Sequence, residues 1–228
     1  MLKIKEKIYV KSKFSGIDSL ARCRNVEHFK NYKKSISYVY NSNGFRDIEW
    51  PSDTSDSIWC LGDSFTVGIG QPFKETWPKQ LEKATGKKCI NVGEDGCSND
   101  ILAKRAKEIY QKYKPKLIVI MWSYFHRRKN LHYDKKDFGM IEDFKNFIKN
   151  YKSTQKIQSK IVHLLIPNAM IGNKKHLNYF IKKNNLDDIL VFEQLDYGRD
   201  YHHFDIKTSR HICKLIKEKI AHIDKRPK

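Results

Sequence analysis

The stretch Ile58-Trp59-Cys60-Leu61-Gly62-Asp63-Ser64-Phe65-Thr66-Val67-Gly68-Ile69-Gly70 decides the fold. Its apolar run breaks off at Gly62-Asp63-Ser64, and small or turn-forming residues follow. A short apolar run bounded by turn residues reads as a buried parallel strand, and the break delivers Ser64 onto the bend at its carboxyl end. In open α/β sheets that edge is where ligands bind. Far downstream, Asp200-Tyr201-His202-His203 supplies a carboxylate and an imidazole. The chain therefore holds a nucleophile, a base and an acid to orient the base.

Outward from residue 57, short apolar runs alternate with amphipathic segments. Strands are expected at Ser57–Leu61, Lys88–Val92, Leu117–Trp122, Ile161–Ile166 and Ile189–Phe192. Helices are expected near Glu75–Ala84, Asp100–Tyr113, Lys136–Tyr151, Lys174–Asn184 and Ile206–Ile223. Gly86 ends the first of these helices, and Pro115 and Pro167 act as breaks. Strands alternating with helices make a parallel sheet covered on both faces, because right-handed crossovers put the helices there.

Residues 1–50 read as an N-terminal arm, and 51–228 as one α/β domain. Leu2, Ile4, Ile8 and Val10 alternate loosely with lysines, as in an exposed strand. Ser35–Tyr40 reads as a strand with Tyr38 and Tyr40 on one face. It runs into a structural turn at Asn41-Ser42-Asn43-Gly44-Phe45-Arg46, with Phe45 able to pack beside the site and Arg46 in solvent.

A chain of 228 residues buries an adequate core without staples. Its five cysteines lack the spacing of a metal site, and Cys60 and Cys89 lie in apolar runs, so no disulfide framework is expected. Neither a signal peptide nor an apolar stretch long enough to span a bilayer is read in the sequence, so cytoplasmic residence with no membrane partner is the expectation. The 45 Lys and Arg against 26 Asp and Glu give a net charge of +19. That attracts polyanions, but the basic residues are spread along the chain without an aromatic-rich motif, and specific nucleic-acid binding is not expected.

The segments around Ser64 and His203 resemble the SGNH/GDSL hydrolases, serine esterases and lipases of flavodoxin-like fold. The first block is Gly62-Asp63-Ser64 with Thr66 and Gly68; the last is Asp200 with His203; Asn91-Val92-Gly93-Glu94-Asp95-Gly96 fits the second. The Tyr40–Arg46 segment is of a type that often precedes the first block in such proteins. The resemblance covers roughly 40–222 and implies a three-layer α/β/α fold with a five-stranded parallel sheet. The third block, Gly-x-Asn-Asp, is absent: its place reads Ile120-Met121-Trp122-Ser123-Tyr124-Phe125-His126-Arg127-Arg128.

The resemblance implies a triad of Ser64 as nucleophile, His203 as general base and then acid, and Asp200 as the orienting carboxylate. A serine hydroxyl needs such a base, and the imidazole needs a carboxylate to fix its tautomer. Oxyanion donors would be the backbone N–H of Ser64 and of Gly96, with the hydroxyl of Ser123 or Tyr124, or water, in place of the missing Asn. Gly96-Cys97-Ser98-Asn99-Asp100 mimics that block one strand too early, and Asn99 reads first as a helix cap. Trp122, Tyr124, His126 and Arg127 would meet the substrate, aromatic faces stacking on a sugar and Arg127 or Arg128 forking onto an anion. The alternative leaves Trp122 in the core and His126-Arg127-Arg128 as a solvated turn.

No cofactor is expected. A metal set of Asp200, His202, His203 and Asp205 has no second cluster to complete it. The expected function is serine-esterase hydrolysis through an acyl-enzyme, with O-acetyl groups on carbohydrate as substrate. The alternative is a catalytically weakened relative that binds a glycan or another polyanion. The sequence sets no oligomeric state.

Overall fold

The computed structural model describes residues 12–128, 140–167, 169 and 174–224. The expected strands at Leu2–Val10 and the start of the helix expected at Lys136 lie outside these residues. A five-stranded sheet carries β1 (Ile58–Leu61), β2 (Cys89–Asn91), β3 (Leu117–Trp122), β4 (Lys160–Leu165) and β5 (Ile189–Val191) in the order β2-β1-β3-β4-β5. Every pairing is parallel. This is the flavodoxin-like doubly wound order, and all five expected strands fall within a residue or two of their places.

The helices are α1 (Val26–Asn31), α2 (Ser64–Val67), α3 (Trp77–Thr85), α4 (Asn99–Tyr113), α5 (Met140–Thr154), α6 (Lys174–Lys183) and α7 (Ile206–Asp224). The connection from β1 to β2 runs one way across the sheet, and those from β2 to β5 run the other way. Right-handed crossovers therefore send α3 to one face and α4 to the opposite one. Accordingly α3 packs on α7, and α4 packs on α5. The sheet between them is apolar on both sides: Ile58, Trp59, Cys60, Leu61, Ile118, Val119, Ile120 and Met121 are all buried, as strands covered on both faces require.

Residues 12–50 pack onto this body without adding a strand to its sheet. The strand expected at Ser35–Tyr40 is a single antiparallel bridge between Ser12 and Tyr38. The turn at Asn41–Arg46 is present: the Asn41 side-chain oxygen accepts from the N–H groups of Asn43 and Phe45, and Gly44 takes the left-handed φ of 80°. Arg46 corrects the sequence reading. It is buried rather than solvated, lies over the Tyr38 ring, and donates to the carbonyls of Ser37, Val67, Gly68 and Gln71. Asp47, one residue on, accepts the Asn91 N–H at 3.0 Å. That contact closes part of the exposed edge of β2, which would otherwise present unpaired backbone.

Trp122 ends β3 inside the core, packed against Phe147 and stacked on His163. Its indole N–H donates to His163 Nδ1 at 3.2 Å, which leaves the ring proton on Nε2. Burial pushes the His163 pKa down from 6.5 to about 3, with Asp188 acting against the shift and Lys219 with it. A lowered pKa means that the unfolded chain takes up this proton first as pH falls. The contribution of His163 to stability is whole above about pH 6.5 and drains away toward pH 3. Over that window His163→Gln should flatten the dependence of unfolding free energy on pH by about 1.4 kcal/mol per pH unit. Urea titrations at several pH values measure the difference in slope.

Candidate active site

Ser64 is placed by its neighbours on both sides. Gly62 ends β1 where a Cβ would stand 2.0 Å from the Thr66 hydroxyl, so only glycine lets α2 fold back this tightly. Asp63 caps α2: its carboxylate Oδ1 accepts the Phe65 N–H at 3.1 Å. Ser64 is then the first residue of the helix, buried with 4 % exposure, and its hydroxyl lies at the carboxyl edge of the sheet.

His203 arrives from the loop between β5 and α7. Its Nε2 lies 2.8 Å from Ser64 Oγ, and its Nδ1 lies 2.5 Å from Asp200 Oδ2. The other Asp200 oxygen accepts the backbone N–H groups of His202 and His203, both at 3.0 Å. Burial raises the Asp200 pKa, but the hydrogen bond and charge of His203, with those two N–H groups, outweigh it and hold the carboxyl at about 2. An ionised carboxylate only accepts, so Nδ1 carries the imidazole proton and Nε2 is left to accept from the Ser64 hydroxyl. Ser64, His203 and Asp200 are thus joined in one line of hydrogen bonds.

Among the described residues, neither the Ser64 nor the Gly96 backbone N–H donates to a protein acceptor. Gly96 sits at φ 72°, with open space where a Cβ would be. Ser123 does not supply a third donor: it is buried, and its hydroxyl donates to Asp63 Oδ2 at 2.6 Å. The same oxygen accepts Arg127 Nη1 at 2.8 Å, and Arg127 lies over the Tyr124 ring. Arg127 thus holds the residue immediately before Ser64.

Trp122 corrects the sequence reading, since it lies in the core with no face toward a substrate. Tyr124 and His126 are half-buried and stack at 5.4 Å; Tyr124 also meets the edge of Phe65, which in turn contacts His203. Asp205 is turned onto Tyr32 and Lys34. No group of three or more His, Cys, Asp or Glu side chains among the described residues could hold a metal ion. Burial, then the nearby charges of His203 and Arg24, push the His202 pKa down to about 3.

Two residues carry more than the sequence reading gave them. The helix cap of α4 is Ser98, whose Oγ accepts the Ile101 N–H. Asn99 instead accepts the Ser123 N–H at 2.9 Å and donates to the carbonyls of Ser123 and Tyr124. It pins the loop leaving β3. The second is Asp63, read only as part of a motif, which joins Phe65, Ser123 and Arg127. Its burial at the end of an apolar run was the available signal, because a carboxylate there must find partners.

No protein-family profile matches the chain, and no curated protein matches it either. Solved structures do. The psychrotrophic esterase EstA from Pseudoalteromonas sp., inhibited by monoethylphosphonate, is 17% identical with a TM-score of 0.54, over 75% of this chain and 100% of that one. A family two carbohydrate esterase from Clostridium thermocellum, in complex with cellohexaose, is 14% identical with a TM-score of 0.54, over 82% and 67%. TesA is 13% identical with a TM-score of 0.53, over 72% and 98%. At these identities the likeness is one of fold: the chain has the three-layer α/β/α fold of these structures.

Asp63→Asn should replace a twice-used acceptor oxygen with a donor facing Ser123 and Arg127. Removing one partner of a buried ion pair costs about 3–5 kcal/mol, and the urea midpoint should fall with the slope unchanged.

Proposed function

We propose that this protein is a serine ester hydrolase of the SGNH/GDSL type, acting on O-acetyl esters of carbohydrate. One observation carries the reading: Ser64 Oγ, His203 and Asp200 stand in a continuous chain of hydrogen bonds of 2.8 and 2.5 Å at the carboxyl edge of a parallel sheet.

In the reaction, Ser64 Oγ bonds to the ester carbonyl carbon as its proton passes to His203 Nε2. The carbonyl oxygen becomes an oxyanion facing the N–H groups of Ser64 and Gly96. The tetrahedral centre collapses, the bond to the sugar oxygen breaks, and His203 returns the proton to that leaving oxygen. Water then attacks the acyl-Ser64, again giving its proton to His203; acetate departs, and Ser64 Oγ recovers the proton. Asp200 remains ionised throughout and stabilises the transient imidazolium.

A small acyl group suits a shallow edge site on this fold. The Tyr124–His126 pair, linked through Phe65 to His203, is the face we assign to the sugar ring. The fold likeness to carbohydrate esterases supports this choice.

Wild-type protein should hydrolyse p-nitrophenyl acetate, and Ser64→Ala should lower kcat by about 10⁴-fold or more. A fluorophosphonate should label Ser64 alone. Equal rates for the two proteins, or labelling elsewhere, would overturn the reading. Binding of an acetylated glycan by wild type, without turnover, would favour the weakened-relative alternative.

A further inference from the structure

The acid of the triad is held from behind by residues from the first fifth of the chain. We propose that Asp18, acting through Arg199 and Tyr38, is a positioning residue for Asp200. The inference rests on the reading of Ser64, His203 and Asp200 as a working triad.

Asp18 is fully buried. Arg199 grips it as a fork, Nε to Oδ1 and Nη2 to Oδ2, both at 2.8 Å. The Tyr38 hydroxyl donates to Oδ2 at 2.5 Å and accepts the Gly70 N–H at 2.9 Å. Gly70 in turn accepts the Arg199 N–H on its carbonyl at 2.6 Å. One carboxylate therefore governs two branches. The first fixes the residue immediately before Asp200. The second fixes Gly70, which lies against the Asp200 carboxylate so closely that a Cβ there would stand 2.9 Å from Oδ1.

The rest of the N-terminal segment holds the same loop. The Arg24 N–H donates to the Asp200 carbonyl at 3.0 Å, and His28 Nε2 meets the Gly198 carbonyl at 2.9 Å. A planar guanidinium bound at two points sets angle as well as distance. Triads need this, since an error of about 1 Å in a catalytic group costs on the order of 10²-fold in rate. Packing alone would be served by apolar residues at positions 18 and 199. A buried carboxylate on a forked arginine serves orientation.

The test uses the full chain, with active sites counted by fluorophosphonate titration. Per titrated site, Asp18→Asn should lower kcat on p-nitrophenyl acetate by about 10–100-fold with KM changed less than about twofold. Arg199→Lys, which keeps charge but loses the fork, should fall between it and wild type. The double variant Asp18→Asn/Arg199→Gln should cost no more than the worse of Asp18→Asn and Arg199→Gln alone, because Arg199 belongs to one of the two branches that Asp18 governs. Tyr38→Phe keeps the ring and breaks only the second branch, so it serves where Asp18→Asn does not fold. A merely structural role would lower the fraction of titratable sites and the Tm while kcat per site stayed at the wild-type value; that result overturns the proposal.

A second readout needs no turnover. In Ser64→Ala the far-downfield proton resonance of His203 Nδ1–H reports the contact with Asp200. It should move upfield or vanish on adding Asp18→Asn to a protein that remains folded; an unmoved resonance overturns the proposal. This arm holds even if the esterase reading fails on its own assay.

Discussion

Strand order is the constraint on which the site depends. Because β1 and β3 are neighbours whose crossovers leave to opposite faces, the loops after them part and open a crevice at the carboxyl edge. Ser64 follows β1, and residues 123–128 follow β3. The third participant comes from the far end of the chain. With α4 and α5 occupying one face, α7 returns to pack beside α3 on the other. Its entry loop is carried back across the sheet edge, where His203 meets Ser64 at 2.8 Å. The convergence follows from covering both faces of a short parallel sheet.

Three buried carboxylates then shape the crevice, and none is left alone. Asp63 answers to Arg127 and Ser123, Asp200 to His203 and two backbone N–H groups, and Asp18 to Arg199 and Tyr38. A buried charge without a partner is strongly unfavourable, so each acid dictates where its partners lie. Asp63 fixes the start of α2, Asp200 the imidazole, and Asp18 the loop that carries Asp200. The hydroxyl of Ser64 is placed by this chain of obligations more than by its own contacts.

Much of this was legible in the sequence. The apolar runs gave all five strands because both-sided burial writes an uninterrupted hydrophobic string. The order Gly-Asp-Ser and then Asp-x-x-His located the residues that the fold brings together. What was hidden depends on partners far apart in the chain. Arg46 carried no mark of burial, since its acceptors are backbone carbonyls that exist only once Val67, Gly68 and Gln71 are folded. Asp18 lies in a segment without periodicity and finds Arg199 across 181 positions. Trp122 was ambiguous because its aromatic run crosses from strand to loop, and the period of a strand ends just where the choice between core and rim must be made.

The loop after β3 is shaped from outside itself. Asn99, one helix earlier, uses both ends of its amide to hold the Ser123 and Tyr124 backbone. The loop therefore needs no asparagine of its own to keep its shape. Ser123 and Arg127 turn toward Asp63 and hold the turn that carries Ser64, so the Ser123 hydroxyl is not offered to an oxyanion. On the proposed mechanism, charge development then falls on two backbone donors. Loss of one donor typically costs about 10²–10³ in rate, and it does so for all esters alike. Discrimination between substrates must then come from contacts with the leaving group. On that reading the half-buried ring of Tyr124, which meets Phe65 beside the imidazole and stacks on His126, is the surface to supply them.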